Sequence, residues 1–285
     1  MTAPAPVSAS DPVPPPVWVW GVPFAPLTLD QTVDAVDALI ERGEPSFLIS
    51  ANLHYVMLTH RTPGQTAINR AAAFVMADGW PIVRASRELP RPLPERVAGS
   101  DLIFRLCEMA ARTGRRVLLL GAPPGVAEQA AAALTARYPG LTIAGAVCPP
   151  HRELSDREHE AILDEIRAAK PDLIIAAFSQ PRGERWMVEN VPRIGAPMTV
   201  QLGASMEFAA GRFVRAPLWM QRANLEWLFR MLQEPRRLTS RYMANAAFLG
   251  RMKLRRLLRG LDAVHEPPRA GHAPTPAPQE AGRER

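Results

Sequence analysis

The chain has few of the residues that bind metals or form disulfides. Its only two cysteines, Cys107 and Cys148, lack the short spacing of a metal knuckle or a redox pair. They read as reduced, mostly buried thiols of a cytoplasmic protein. The six histidines are scattered rather than grouped with cysteines and acids at ligand spacing. No catalytic metal and no cofactor are therefore expected, and His54 reads as a surface or packing residue. There is no apolar run of about 18 residues, so no membrane span is expected. The N-terminus has no basic segment leading into an apolar one, so export is not expected. A P-loop and a dinucleotide fingerprint are missing as well: the one glycine-rich turn, Gly121-Ala122-Pro123-Pro124-Gly125, has the wrong glycine spacing and no following Lys-Ser/Thr.

What is present can bury a core: 285 residues, 47% of them hydrophobic. Residues 1–16 carry six prolines and 261–285 carry five, with few large apolar side chains, so both read as disordered tails. Between them strands and helices alternate. Apolar runs at Ser46–Ser50, Ala73–Ala77, Val117–Leu120, Leu141–Val147, Asp172–Phe178 and Met198–Leu202 are predicted strands. Helix signals lie between them: a capping box at Thr28 and Gln31 closed by Gly43, a start near Leu53, Asp101–Thr113 with Ser100 as cap, an alanine-rich stretch after Gly125, and a second capping box at Ser155 and Glu158. Continuous apolar strands separated by helices predict a mostly parallel sheet covered on both faces. The expected architecture is a Rossmann-like α/β core over 17–210, followed by a helical appendage over 211–260.

Ligands of open parallel sheets bind beyond the carboxyl ends of the strands, so those ends are where chemistry is sought. Four ends carry polar or flexible groups: Ser50-Ala51-Asn52, Asp78-Gly79, Gly121–Gly125 and Ser179-Gln180-Pro181-Arg182-Gly183-Glu184. Each also has a structural explanation, as a helix cap, a turn dipeptide or a helix entry. Glu95-Arg96-Val97-Ala98-Gly99-Ser100-Asp101 places Arg96 just before a helix start, where a guanidinium and backbone amides together can hold an anion.

The appendage holds the charge. Residues 211–259 contain twelve Arg and Lys against Glu226 and Glu234, a local charge of +10 in a chain whose total is +6. Trp219, Trp227 and Phe229 are interleaved with Arg215, Arg222, Arg230, Arg237 and Arg241. Met243, Ala247, Gly250, Leu254, Leu257 and Leu258 follow one helical stripe, with Arg251, Arg255 and Arg259 on another. Such a surface suits something apolar and anionic, as at a phospholipid face. The alternative is a helix docked on the core with a solvated basic face. A nucleic-acid partner would also suit the charge, but the mixing with tryptophan and leucine at helical spacing argues against it, and no nucleic-acid motif is present.

Taken in order, these segments resemble one family. Ser-Ala-Asn, Ala-Asp-Gly, Glu-Arg-Val-Ala-Gly-Ser-Asp, Leu-Leu-Gly with its following Pro-Gly, Pro-Arg-Gly-Glu-Arg-Trp, Ala-Gly-Arg-Phe-Val-Arg-Ala-Pro-Leu-Trp and Leu-Glu-Trp-Leu-Phe-Arg with Glu-Pro-Arg-Arg are similar to the motifs of the WecG/TagA/CpsF glycosyltransferases, glycosyltransferase family 26. The resemblance implies an inverting, metal-independent transfer from a nucleotide-diphosphate sugar, with UDP as the expected carrier, to a polyprenyl-diphosphate-linked sugar in cell-envelope or exopolysaccharide assembly. It implies Asp78 as general base, Ser50 and Asn52 in the sugar site, and Arg96 on the donor phosphate. Gly121, Gly125, Gln180 and Glu184 are expected to line the substrate site. Arg215, Trp227, Arg230, Arg237 and Arg241 are expected to serve acceptor and membrane at the inner leaflet, making the protein cytoplasmic and peripherally attached. A homo-oligomer is left open.

Four departures stand out. Ser50 replaces the family's threonine. In the Gly-x-Pro-Lys-Gln-Glu segment, Ser179 replaces the glycine and Gly183 the glutamine, whose contact is lost unless Gln180 supplies it. Glu207 replaces an aspartate. Ser50 keeps the hydroxyl, while Gly183 and Glu207 leave a non-catalytic sugar-nucleotide-binding relative as a competing reading.

Overall fold

A computed structural model describes residues 11–150, 152–223 and 225–260. The tail expected at 261–285 and residues 1–10 of the tail expected at 1–16 lie outside those residues; within 11–16, Val13 packs against the core. Eight strands make one sheet: β1 (Val17–Val19), β2 (Val22–Phe24), β3 (Ser46–Ala51), β4 (Phe74–Ala77), β5 (Arg116–Gly121), β6 (Thr142–Val147), β7 (Leu173–Ala177) and β8 (Met198–Gln201). Their order is β1-β2-β4-β3-β8-β7-β5-β6. All neighbours pair in parallel except β1 with β2. The α/β, mostly parallel sheet read from the apolar runs is the fold observed.

Both faces of the sheet are covered, which is why the strands read as unbroken apolar runs. On one face Leu48, Met76, Leu119, Ile175 and Val200 pack with α1 (Leu29–Arg42), α5 (Gly99–Thr113), α6 (Val126–Arg137) and α9 (Ser205–Ala209). The alternate residues Phe47, Ile49, Val75 and Ala77 face α2 (Leu53–Thr59), α4 (Trp80–Ser86) and α8 (Arg182–Ile194). Leu118, Leu120 and Ile174 meet α7 (Asp156–Ala169) on that same side. Each such side chain taken fully out of water contributes on the order of 2 kcal/mol. A short α3 (Gln65–Ala71) lies between α2 and β4.

Both capping boxes form. Thr28 Oγ1 accepts from Gln31 N at 3.2 Å while Gln31 Oε1 accepts from Thr28 N at 2.9 Å, and Ser155 and Glu158 repeat the exchange. Gly43 closes α1 at φ 72°. The Ser100 cap does not form. The helix begins at Gly99, with Ala98 in the cap position and no side-chain cap bond, because the chain enters α5 directly from its pairing with β4.

Sequence reading missed the β1–β2 hairpin. Its two-residue turn puts Trp20 (φ 48°) and Gly21 (φ 74°) both in the left-handed region, as hairpin turns require. Trp20 is an unusual occupant of that position, held by burial of its indole edge-on to Phe248 at 5.9 Å.

After α9 come α10 (Leu218–Arg222), α11 (Glu226–Gln233) and the 25-residue α12 (Pro235–Arg259). The buried positions of α12 are Leu238, Asn245, Phe248 and Met252; Phe248 and Met252 join the core beside Trp20 and His60. At about 100° per residue, the stripe picked out in the sequence falls on the opposite side. Met243, Leu254, Leu257 and Leu258 on that stripe are all exposed. The helix docks on the core through one face and presents a second apolar face to solvent.

Candidate active site

Asp78 follows β4 directly, and its N–H donates to Ala51 O at 3.0 Å, so it sits beside the end of β3. The next segment returns along β4, with Val97 N donating to Ala77 O at 3.0 Å, which brings Arg96 and the start of α5 against the same carboxylate. Glu95 fixes that segment from outside by accepting from Leu29 N at 2.6 Å, at the first turn of α1.

Three groups bear on Asp78 from close range. The Gly99 N–H donates to its carboxylate, Ser50 Oγ donates to Oδ2 at 3.4 Å, and the Arg96 guanidinium supplies positive charge. Gly99 has no room for a side chain: a Cβ there would stand 3.0 Å from Ser205 Oγ and 3.6 Å from Ser50 Oγ. Asp78 stays partly accessible, yet burial by the surrounding protein pushes its pKa above the ordinary carboxylate value. Arg96, the Gly99 amide and Ser50 oppose the rise, and Glu226 adds to it.

Asn52 caps α2, its Oδ1 accepting from Tyr55 N at 3.1 Å and from Arg241 Nη2 at 3.1 Å. Gln180 Nε2 donates to Ser50 O at 3.2 Å, joining the end of β7 to the end of β3. Arg215 reaches Asp101 Oδ1 at 2.5 Å, and Arg96 and Arg215 share Glu226, each at 2.9 Å. These contacts link Asp78, Ser50, Asn52, Arg96, Gln180, Arg215 and Arg241, drawn from across the chain, around the carboxyl ends of β3, β4 and β7.

The other expected residues lie around it. Gly121 (φ 88°) ends β5 under the Phe178 ring, and Gly125 (φ 75°) opens α6 with the Arg212 guanidinium close by. Arg212 is held there by Gln129 at 3.1 Å. Arg230 stacks over Phe208 and Phe213 at 5.3 and 5.4 Å. Trp227 is exposed and leans on Tyr242 at 5.5 Å. Arg237 lies in the first turn of α12, with its side chain outside the described residues. Glu184 is fully buried at the start of α8, and among the described residues neither of its oxygens meets a hydrogen-bond partner at good geometry. Burial raises its pKa to about 7, a rise tempered by its own backbone amide and then by the nearby Gln180 amide.

Three neighbouring residues had no part in the site as read from the sequence. Glu226 had counted only against the basic charge. His54 is held neutral, its pKa pushed down to about 4 by burial and then by Arg241 and Arg61. Gln201 occupies the space beside Gly183, donating to Phe178 O at 2.8 Å and accepting from Phe178 N at 3.3 Å. A Cβ on Gly183 would stand 2.3 Å from Gln201 Nε2. Glycine at that position therefore follows from where Gln201 sits. Its signal was a glutamine at the end of a short strand whose residues are all buried.

A desolvated carboxylate flanked by guanidiniums, at the carboxyl edge of a Rossmann-like sheet, is equipment for moving a group away from an anionic leaving group. Residues 17–262 match the model of the Glycosyl transferase WecG/TagA/CpsF family. The chain belongs to that family and is a glycosyltransferase. Two similar proteins are the N-acetylglucosaminyldiphosphoundecaprenol N-acetyl-beta-D-mannosaminyltransferases of Staphylococcus aureus strains MW2 and NCTC 8325 / PS 47. Each is 29% identical over 222 residues, covering 77% of this chain and 85% of the relative.

Proposed function

We propose that the enzyme transfers a sugar from a nucleotide-diphosphate donor, UDP as carrier, to a hydroxyl of a polyprenyl-diphosphate-linked sugar, with inversion and without a metal, in assembly of a cell-envelope polymer or exopolysaccharide. The observation that carries this reading is the upshifted Asp78 beside Arg96 and Arg215 at the mouth of the sheet. In a single displacement the acceptor oxygen bonds to the anomeric carbon as the bond to the donor phosphate breaks. The acceptor proton passes to Asp78, and the electron pair leaves on the diphosphate. A carboxylate at its ordinary pKa is a weak base for a hydroxyl, so the rise at Asp78 favours the proton transfer. Arg96 and Arg215 are placed to take up the charge on the departing diphosphate.

The same reading makes 211–260 the acceptor- and membrane-facing part, with Trp227, Arg230, Arg237 and Arg241 at that surface. Val214, Leu218, Trp219, Leu254, Leu257 and Leu258 are all more than half exposed, an unusual density of bare apolar groups beside so many arginines. Among the described residues no helix is long and apolar enough to cross a membrane. Docking on the inner leaflet would then be peripheral.

The test is a donor screen. UDP-linked N-acetylmannosamine, its uronic acid, glucose and glucuronic acid are each offered with a short-chain lipid-diphosphate acceptor, with and without chelator. One donor should give product of inverted configuration, unaffected by chelator. Failure of every nucleotide sugar to react would overturn the donor assignment.

A further inference from the structure

Glu226 joins two cations that come from distant parts of the chain. Its Oε2 accepts from Arg96 Nη1, and its Oε1 lies 2.9 Å from Arg215 Nε. The second contact is an ion pair only, since the buried Arg215 Nε–H makes no hydrogen bond to that oxygen or to any other acceptor among the described residues. A buried guanidinium N–H without an acceptor is costly, about 1–3 kcal/mol, and marks a place where a better-shaped anion would be stabilised. The charges agree. Arg96 and Arg215 face three carboxylates, those of Asp78, Asp101 and Glu226, an excess of negative charge. A diphosphate that takes both arginines competes with these carboxylates for them. Asp101 sits on α5 and Asp78 on the sheet edge. Glu226 alone stands on the short α11, a helix with no buried residues of its own.

We propose that Glu226 is a placeholder for a diphosphate: it holds Arg96 and Arg215 ready and is displaced when the diphosphate takes both arginines. This deepens the transfer reading and rests on it only for the source of the diphosphate, the UDP of the donor. A phosphate group has acceptor oxygens to spare for the Arg215 Nε–H that the carboxylate leaves unmet. Displacement frees the start of α11, so donor binding is coupled to the segment carrying Trp227 and Arg230.

The test uses the full-length protein, with inorganic pyrophosphate and UDP as separate probes in calorimetric titrations of wild type and Glu226→Gln. The variant should bind both about 10-fold more tightly at low salt, because a competing like charge has gone. In the wild type, pyrophosphate should also speed amide hydrogen exchange across 225–233, a readout that needs no variant. Equal or weaker binding by Glu226→Gln would make Glu226 a fixed strut and overturn the proposal, as would α11 amides that slow or stay unchanged on addition of pyrophosphate. If pyrophosphate behaves as expected while no UDP-sugar is turned over, the placeholder stands and the sugar-transfer reading alone fails.

Discussion

Two desolvated carboxylates show how one chain sets acidities by environment. Asp78 is pulled both ways, by desolvation upward and by Arg96 and the Gly99 amide downward. At Glu184 burial outweighs the opposing backbone amide and Gln180, and its pKa is pushed up to about 7. Its folded pKa lies above the unfolded value of 4.5, so the native state binds the extra proton between the two values and stability is lost as pH rises through that window. Glu184→Gln removes the liability. Its melting temperature should match wild type near pH 4.5 and exceed it at pH 8, by a margin worth on the order of 3 kcal/mol, as thermal melts at the two values would show. Asp78, Asn52 and Gln180 were legible in the sequence because they follow apolar strands, and a parallel sheet gathers its strand ends at one edge. Glu226 was not. Its meaning depends on Arg96, 130 positions away, and no local periodicity encodes such a pairing.

At the scale of single elements, the caps of α1 and α7 were legible because a capping box is complete within four residues. The β1–β2 hairpin was not, since three-residue strands give no alternation to read, and the Trp20-Gly21 turn is chosen by a tertiary contact with Phe248 rather than by turn propensity. The first turn of α8 gives the sharpest case. Alanine is favoured over glycine in a helix by about 1 kcal/mol, so Gly183→Ala would ordinarily stabilise. Here the new methyl would meet Gln201 Nε2 at 2.3 Å and Phe178 Cβ at 2.7 Å, and moving them breaks the clamp on the end of β7. Overpacking of about 1–3 kcal/mol outweighs the propensity gain. Gly183→Ala should lower the urea midpoint, and Gln201→Ala added to it should recover part of the loss.

For the molecule as a whole, α12 ties two surfaces together. Phe248 and Met252 anchor it to the core while Leu254, Leu257 and Leu258 stay bare. The sequence showed an apolar stripe and a basic one. It did not show that a third face, with Leu238 and Phe248, does the docking, because an isolated helix pattern carries no information about which face finds a partner. Leu257→Glu with Leu258→Glu alters only the exposed face. Vesicles with anionic lipid should retain the wild type in flotation and release the double variant, while turnover of a short-chain acceptor in solution stays close to wild type. Retention of the double variant would move the membrane contact elsewhere.

In the proposed transfer the carboxylate of Asp78 takes the acceptor proton. The decisive measurement is turnover of Asp78→Asn with the preferred UDP-sugar and a short-chain lipid-diphosphate acceptor, with circular dichroism and UDP binding checked in parallel. The expected result is a folded, nucleotide-binding protein whose kcat falls roughly 10³-fold, the usual worth of a general base. A folded variant that turns over at near the wild-type rate would contradict it.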